Sequence, residues 1–151
     1  MDNLLATVLD KFGTEIKIYY CSHDTIPEKV TSFFAKQWAE LVEEGNVRRG
    51  YIPNIDGCFV VYLTLDDEVV GLRMWHMVQN VAKILLTAID KKHRRKGLFK
   101  LITMHYDKIQ VDNNCIKSIT FIQLSNSGMV EAARQNGYKT VQLKMEKLYL
   151  K

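Results

Sequence analysis

One stretch restricts the fold more than any other. An apolar run, VAKILLTAI (Val81–Ile89), passes through Asp90 into Lys91–Lys96, where five of six residues are basic. Gly97 follows, and then Leu98, Leu101, Ile102, His105 and Ile109 recur at helical spacing. A short apolar run bounded by a polar loop reads as a buried strand, and the period after Gly97 reads as a helix. The unit is therefore strand, basic loop, helix. At such a helix start the first backbone N–H groups lack partners and the dipole is positive, so phosphate is a natural ligand. A glycine there lets a ligand approach the main chain. The same charge run is also compatible with a solvated loop or with contact to a nucleic-acid backbone.

The charge distribution narrows these choices. The chain has 151 residues and a formal net charge of +4, and without the five basic residues of Lys91–Lys96 the balance would be −1. The excess sits in one loop, whereas a nucleic-acid footprint normally spreads along a face with a recognisable motif. The length suits one domain over 1–151, with one core. Cys21, Cys58 and Cys115 are far apart and form no zinc-type spacing, so they read as small hydrophobes in a reducing compartment. No secretory pattern or bilayer-length apolar stretch is visible, and a cytoplasmic location without membrane contact is expected.

The remaining elements follow from periodicity and punctuation. Leu4, Leu5, Val8, Leu9 and Phe12 before Gly13 predict an amphipathic helix over 1–13, free to pack on the core or on a partner in a homodimer. EIKIYYCS predicts a strand. In TIPEKV, Thr25 and Glu28 have capping-box spacing, with Pro27 in the first turn, and a helix should run from there to Gly45. VRRGYIPNIDG reads as a loop. CFVVYLTL and VVGLRMWHM, joined by DDE, predict a hairpin. SITFIQL predicts a strand, Asn126 a cap for a helix ending at Gly137, and Val141–Met145 a last strand. The order gives a mixed α/β sheet covered by helices.

AIDKKHRRKGLFKLI resembles the acetyl-CoA motif of the GNAT N-acetyltransferase superfamily, Arg/Gln-x-x-Gly-x-Gly/Ala, here Arg94-x-x-Gly97-x-Phe99. NSGMVEAARQNGY is similar to the Asn-x-x-Ala…Gly-Phe segment of that family, in register from Asn126 to Gly137. The resemblance covers Ile84 to about Leu143. It implies a mostly antiparallel sheet with a parallel pair at a cofactor cleft. It also implies that acetyl-CoA is the co-substrate. Backbone groups of Thr87, Ala88 and Ile89 would pair with the pantetheine arm. The N–H groups from Arg94 through Leu98 to Phe99 would wrap the pyrophosphate. Arg94, Arg95 and Lys96 would add charge, Lys91 or Lys92 would reach the ribose phosphate, and Asn126 would lie near the cofactor arm. Phe99 departs from the small residue usual at its position.

The resemblance implies transfer of the acetyl group to a primary amine by direct attack in a ternary complex. Two usual catalytic groups are missing. Ala133 occupies the position of the usual tyrosine acid, and the strand before the loop carries only Lys83 in place of a carboxylate base. His76 is the local substitute for a base, against a plain strand-end histidine. His105 reads as a core residue, and His23 and Asp24 as turn residues. Tyr51, Tyr62 and Tyr138 are open as site-lining residues, Tyr138 also as core, and Trp38 and Trp75 read as packing. The acceptor is open among a small amine, a protein amine and an aminoacyl group on transfer RNA, with VEEGNVRRGYIPNIDG as an acceptor-side loop or a plain surface loop. A non-catalytic acyl-CoA-binding module and a nucleic-acid binder are the competing classes.

Overall fold

The computed structural model describes residues 3–45, 53–122 and 127–141, with 145, 147 and 149. The chain divides into two compact units, Met1–Phe121 and Ile122–Lys151. The first holds β1 (Leu4–Leu9), β2 (Glu15–Ser22), α1 (Glu28–Glu43), β3 (Phe59–Leu65), β4 (Glu68–Val78), β5 (Val81–Ile89), α2 (Leu98–Asp112) and β6 (Lys117–Thr120). The strands form one six-stranded sheet in the order β1-β2-β3-β4-β5-β6. All neighbours are antiparallel except β5 and β6, which are parallel and joined by the α2 crossover.

Strand alternation divides the sheet into two faces. On one, Cys21, Val60, Tyr62, Leu72, Met74 and Leu86 pack with Val30, Phe33 and Phe34 of α1. On the other, Trp75 meets Tyr106 of α2 edge to face at 4.9 Å between centroids. Trp38 stacks on Phe34 and Trp75 is 1% exposed, so both tryptophans are packing residues as expected. The β3–β4 connection is the two residues Asp66 and Asp67, and the β4–β5 connection is Gln79 and Asn80, all four at positive φ. Such two-residue turns match the right-handed strand twist.

The expected N-terminal helix is instead a strand. β1 pairs with β2 from Leu4↔Tyr19 to Leu9↔Glu15. The Asp10 carboxylate accepts the N–H groups of Phe12 and Thr14, both at 2.8 Å, and Gly13 sits at φ +79. That side-chain-closed turn competes with helix propagation. A helix of this length is marginal alone, whereas the β2 edge supplies a full ladder. The apolar spacing did not mark a buried face either: Leu9 and Phe12 are 69% and 68% exposed.

The capping box is also absent. Thr25 closes a short 3-10 turn, His23–Thr25, and its hydroxyl donates to the Ser22 carbonyl at 2.9 Å. Pro27, not Thr25, is the N-cap of α1, and it stands before the first turn. SITFIQL is strand only over Lys117–Thr120, with residues 123 and 124 outside the described range. Residues 142–144, on which the expected last strand rests, lie outside it too. In the second unit α3 spans Ser127–Gln135. It closes with Gly137 N–H bonded to Arg134 O and Tyr138 N–H to Ala133 O, the two bonds of a Schellman motif.

Gly71 of β4 sets how closely α2 and β5 approach. A Cβ there would meet Ile89 Cδ1 at 2.7 Å, with the Ala88 carbonyl and Ile102 Cδ1 at 3.3 Å. Overpacking of this kind costs about 1–3 kcal/mol. Gly71→Ala is expected to lower the urea midpoint accordingly, with an unchanged far-ultraviolet spectrum; full stability would mean that the approach is loose.

Candidate active site

The site is built on a strand with an open edge. Among the described residues β6 pairs with β5 from Val81↔Lys117 to Ile84↔Thr120, while β5 continues through Leu85 to Ile89. The register against β4 shifts at the same point, from Met74↔Leu86 to Trp75↔Ile84, so Leu85 is an extra, bulged residue. Bulges bend the strand that carries them. The Asp90 N–H donates to Val70 O on the β4 side at 2.9 Å. By alternation, the N–H groups of Thr87 and Ile89 face the open side. Thr87 and Ala88 are partly buried. An extended polar chain could therefore add to this edge as a strand would.

The basic loop closes the end of that edge. Gly97 caps α2 at φ +79, in space where a Cβ would meet nothing within 4 Å. The first bond of the helix runs from Leu101 N–H to Gly97 O. The amides of Leu98, Phe99 and Lys100 thus belong to the first turn, which has no intrahelical acceptors. Arg94 Nε donates to Ile89 O at 3.1 Å, which folds the arginine over the open end of β5. Lys96 Nζ donates to His93 Nδ1 at 3.3 Å. Lys91 pairs with Glu44 at 3.6 Å, which directs it toward the end of α1. Arg95 is exposed, at φ +64. Three of the five cations, Lys91, Arg94 and Lys96, thus reach different partners.

The sequence reading missed two contributors. The β1–β2 turn reaches this loop: Lys11 Nζ donates to Arg95 O at 3.2 Å, and Phe12 lies under both Lys11 and Lys96. Assigned to a helix, these residues gave no sign of it. The second is Arg73, 3% exposed in the middle of β4. Its Nε donates to Thr87 Oγ1 at 2.9 Å and its Nη2 to Thr103 Oγ1 at 3.2 Å. Its guanidinium lies 5.5 Å from the Phe99 ring centroid and 4.7 Å from that of Tyr106. Half-burial pushes the Asp107 carboxyl up, and the Arg73 charge opposes that shift. A lone cation inside VVGLRMWHM was the available signal, because an arginine in a buried strand needs partners.

His76 is partly buried and pairs with Lys83 in the ladder, next to the bulge. Its Nε2 is 2.8 Å from the Asn54 carbonyl, which can only accept, so Nε2 carries the proton. Cys58 Sγ lies 3.4 Å from Nε2 and 3.6 Å from Nδ1. Burial, with a smaller effect from Asp56, pushes the Cys58 thiol up to about 12, so this Cys–His contact is no thiolate nucleophile. The ring fastens the segment before β3 to β4.

Other expected residues divide. Tyr62 is 4% exposed and stacks on Tyr19, so it is core. His105 is partly buried, and burial followed by the Lys108 charge lowers its pKa. His23 Nε2 lies 3.2 Å from an Asp24 carboxylate oxygen, both side chains exposed in their turn. Ala133 is buried on α3 and Tyr138 is partly buried within the second unit. Asn126, Tyr51, Arg48 and Arg49 lie outside the described residues. Among the described residues no group of three or more His, Cys, Asp or Glu is placed to hold a metal ion, and no helix is long and apolar enough to cross a membrane.

No family model matches the chain, and a search of curated proteins finds no relative. Solved structures do match. An aminoglycoside acetyltransferase, meta-AAC0020, from an uncultured soil metagenomic sample superposes with a TM-score of 0.66 at 14% identity, over 90% of this chain and 97% of that one. Aminoglycoside N-acetyltransferase AAC(6′)-Iy in complex with CoA gives 0.65 at 12% identity, over 91% and 96%. An integron cassette protein from V. cholerae, VCH_CASS6, gives 0.64 at 12% identity, over 90% and 93%. This is the GNAT acetyltransferase fold. The open edge of β5 and the first turn of α2 carry the residues that the resemblance put forward for a cofactor.

The thiols separate cleanly. Cys21 and Cys58 are 4% and 0% exposed, and Cys115 is partly exposed. Iodoacetamide at mildly alkaline pH is expected to label Cys115 alone in the native protein, and all three after denaturation, read by mass spectrometry. Native labelling of Cys58 would contradict its burial.

Proposed function

We propose that the protein transfers the acetyl group of acetyl-CoA to a primary amine. The observation that carries this reading is the parting of β5 from β6 beside a basic helix start: strand amides with no partner among the described residues lead to a turn suited to phosphate. The acetyltransferase names of the fold's solved relatives support it. Thr87, Ala88 and Ile89 would hold the pantetheine arm along the open edge. Amides from Arg94 to Phe99, with Leu98 and Gly97 between, would receive the pyrophosphate. Arg94, Arg95 and Lys96 would supply charge, and Asn126 is the motif's candidate for the cofactor arm. With Lys91 on Glu44 and Arg94 on Ile89 O, these cations do not form the continuous stripe that a nucleic-acid backbone would follow.

In the reaction the free amine attacks the thioester carbonyl, the C–S bond breaks, and the thiolate takes a proton. Alignment of the two reactants supplies much of the rate. An amine with a pKa of about 10.4 must first lose a proton. His76 is the base in this reading, with Nδ1 as acceptor because Nε2 already donates to Asn54 O. The acceptor is a small-molecule or protein amine, with aminoacyl-tRNA a further option, and the enzyme works in the cytoplasm, where a homodimer is compatible with it. Ala133 in place of the usual tyrosine favours a second reading, a module that binds acyl-CoA without turnover.

Calorimetry with acetyl-CoA and CoA release with an amine panel separate the two. Binding with turnover is expected, and binding alone would establish the module. Gly97→Glu is expected to abolish binding in a folded protein. Gly97→Ala carries the same left-handed backbone strain, about 1 kcal/mol, without the added charge, and should retain measurable binding. Equal affinity of Gly97→Glu and wild type would end the reading. His76→Gln is expected to lower kcat about tenfold or more at unchanged acetyl-CoA affinity; unchanged kcat would remove the histidine from the chemistry.

A further inference from the structure

Resting on the acetyl-CoA reading, we infer that Arg73 is the positioning residue of the phosphate-binding turn. It ties the open strand β5 to the first two turns of α2 and sets a fixed cation beneath them. The ladder places Arg73 directly across from Thr87. Phe99, Thr103 and Tyr106 recur at one-turn spacing on α2 and converge on the same guanidinium. One side chain thus touches the strand that would hold the pantetheine arm and the helix turn that would hold the phosphates.

Phe99 gains a physical explanation from this. The family motif has a small residue at its position, and here the ring lies over a buried cation. Its backbone N–H remains in the first helical turn while the side chain faces Arg73. Buried beneath the turn, the guanidinium charge is weakly screened by solvent and salt. It adds to the positive end of the α2 dipole on the side where the pyrophosphate would sit. Arginine suits this place better than lysine, because its planar fork serves two hydroxyls while its faces meet two rings.

The test uses the full chain and two acyl donors, acetyl-CoA and S-acetylpantetheine, which lacks every phosphate. Arg73→Met is expected to raise the Kd and KM for acetyl-CoA about tenfold, with kcat at saturation kept. Its kcat/KM with S-acetylpantetheine should stay within about threefold of wild type. Arg73→Lys, which keeps the charge, should recover part of the loss. A merely structural arginine predicts otherwise: a lower Tm with both donors affected equally, or neither, and that result overturns the inference. If Arg73→Met does not fold, Thr87→Val and Phe99→Leu decide, since each removes one tether and leaves the charge. Unchanged acetyl-CoA affinity in both would overturn it. Wild-type protein that binds no acetyl-CoA removes the functional reading and this inference together, whereas tight wild-type binding with indifferent Arg73 variants removes only this one.

Discussion

The site depends on a mismatch in strand length. Among the described residues β6 offers four paired residues to a nine-residue β5, and the bulge at Leu85 falls where that pairing stops. Backbone donors and acceptors are obligatory hydrogen-bonding groups, and leaving them without partners is costly. An edge exposed in mid-sheet must therefore be hydrated or filled. A chain whose β5 and β6 paired along their whole length would have an ordinary parallel pair at that edge and no slot. The same parting lets the end of β5 turn into the basic loop, so the free amides of the strand run toward the free amides of α2.

The packing around this slot follows from the same need. Gly71 lets β4 come close to Ile89 and Ile102, and Arg73, two residues on, fills the next position on that face. Tyr106 then bonds to Ser118 of β6 through its hydroxyl at 2.6 Å. One face of α2 thus contacts β4 and β6, one through a charge and the other through a hydroxyl. The crossover helix is fixed by polar contacts as well as by Leu98 and Ile102. Buried polar contacts such as these specify one arrangement where apolar contacts alone would tolerate several.

Much of this was legible in the sequence. The runs Val81–Ile89 and CFVVYLTL, the helix after Gly97 and the stop at Gly45 all depend on local period and on glycines at positive φ, which are short-range properties. The cofactor-side residues of the proposed reading rest on their motif. The N-terminal hairpin was not. Leu4, Leu5, Val8, Leu9 and Phe12 satisfy a helical period, but the choice was made by the free edge of β2 and the Asp10 turn. Thr25 failed as a cap for a related reason, because its hydroxyl found a nearer acceptor in Ser22 O. Arg73 was visible as a lone charge but not as a hub, since its partners lie 14 and 30 residues away.

The sequence by itself determined the strand–loop–helix unit, the concentration of charge at one helix start and the absence of the usual tyrosine at Ala133. Those are statements about neighbours along the chain, and local sterics, periodicity and residue identity decide them. Only the tertiary structure decided where β5 and β6 part, that β1 is a strand whose turn brings Lys11 and Phe12 to the basic loop, and that Phe99 faces a buried guanidinium. Each of these depends on which distant backbone edges and side chains meet. Long-range pairing is set by the sheet as a whole, so no window of the sequence contains it.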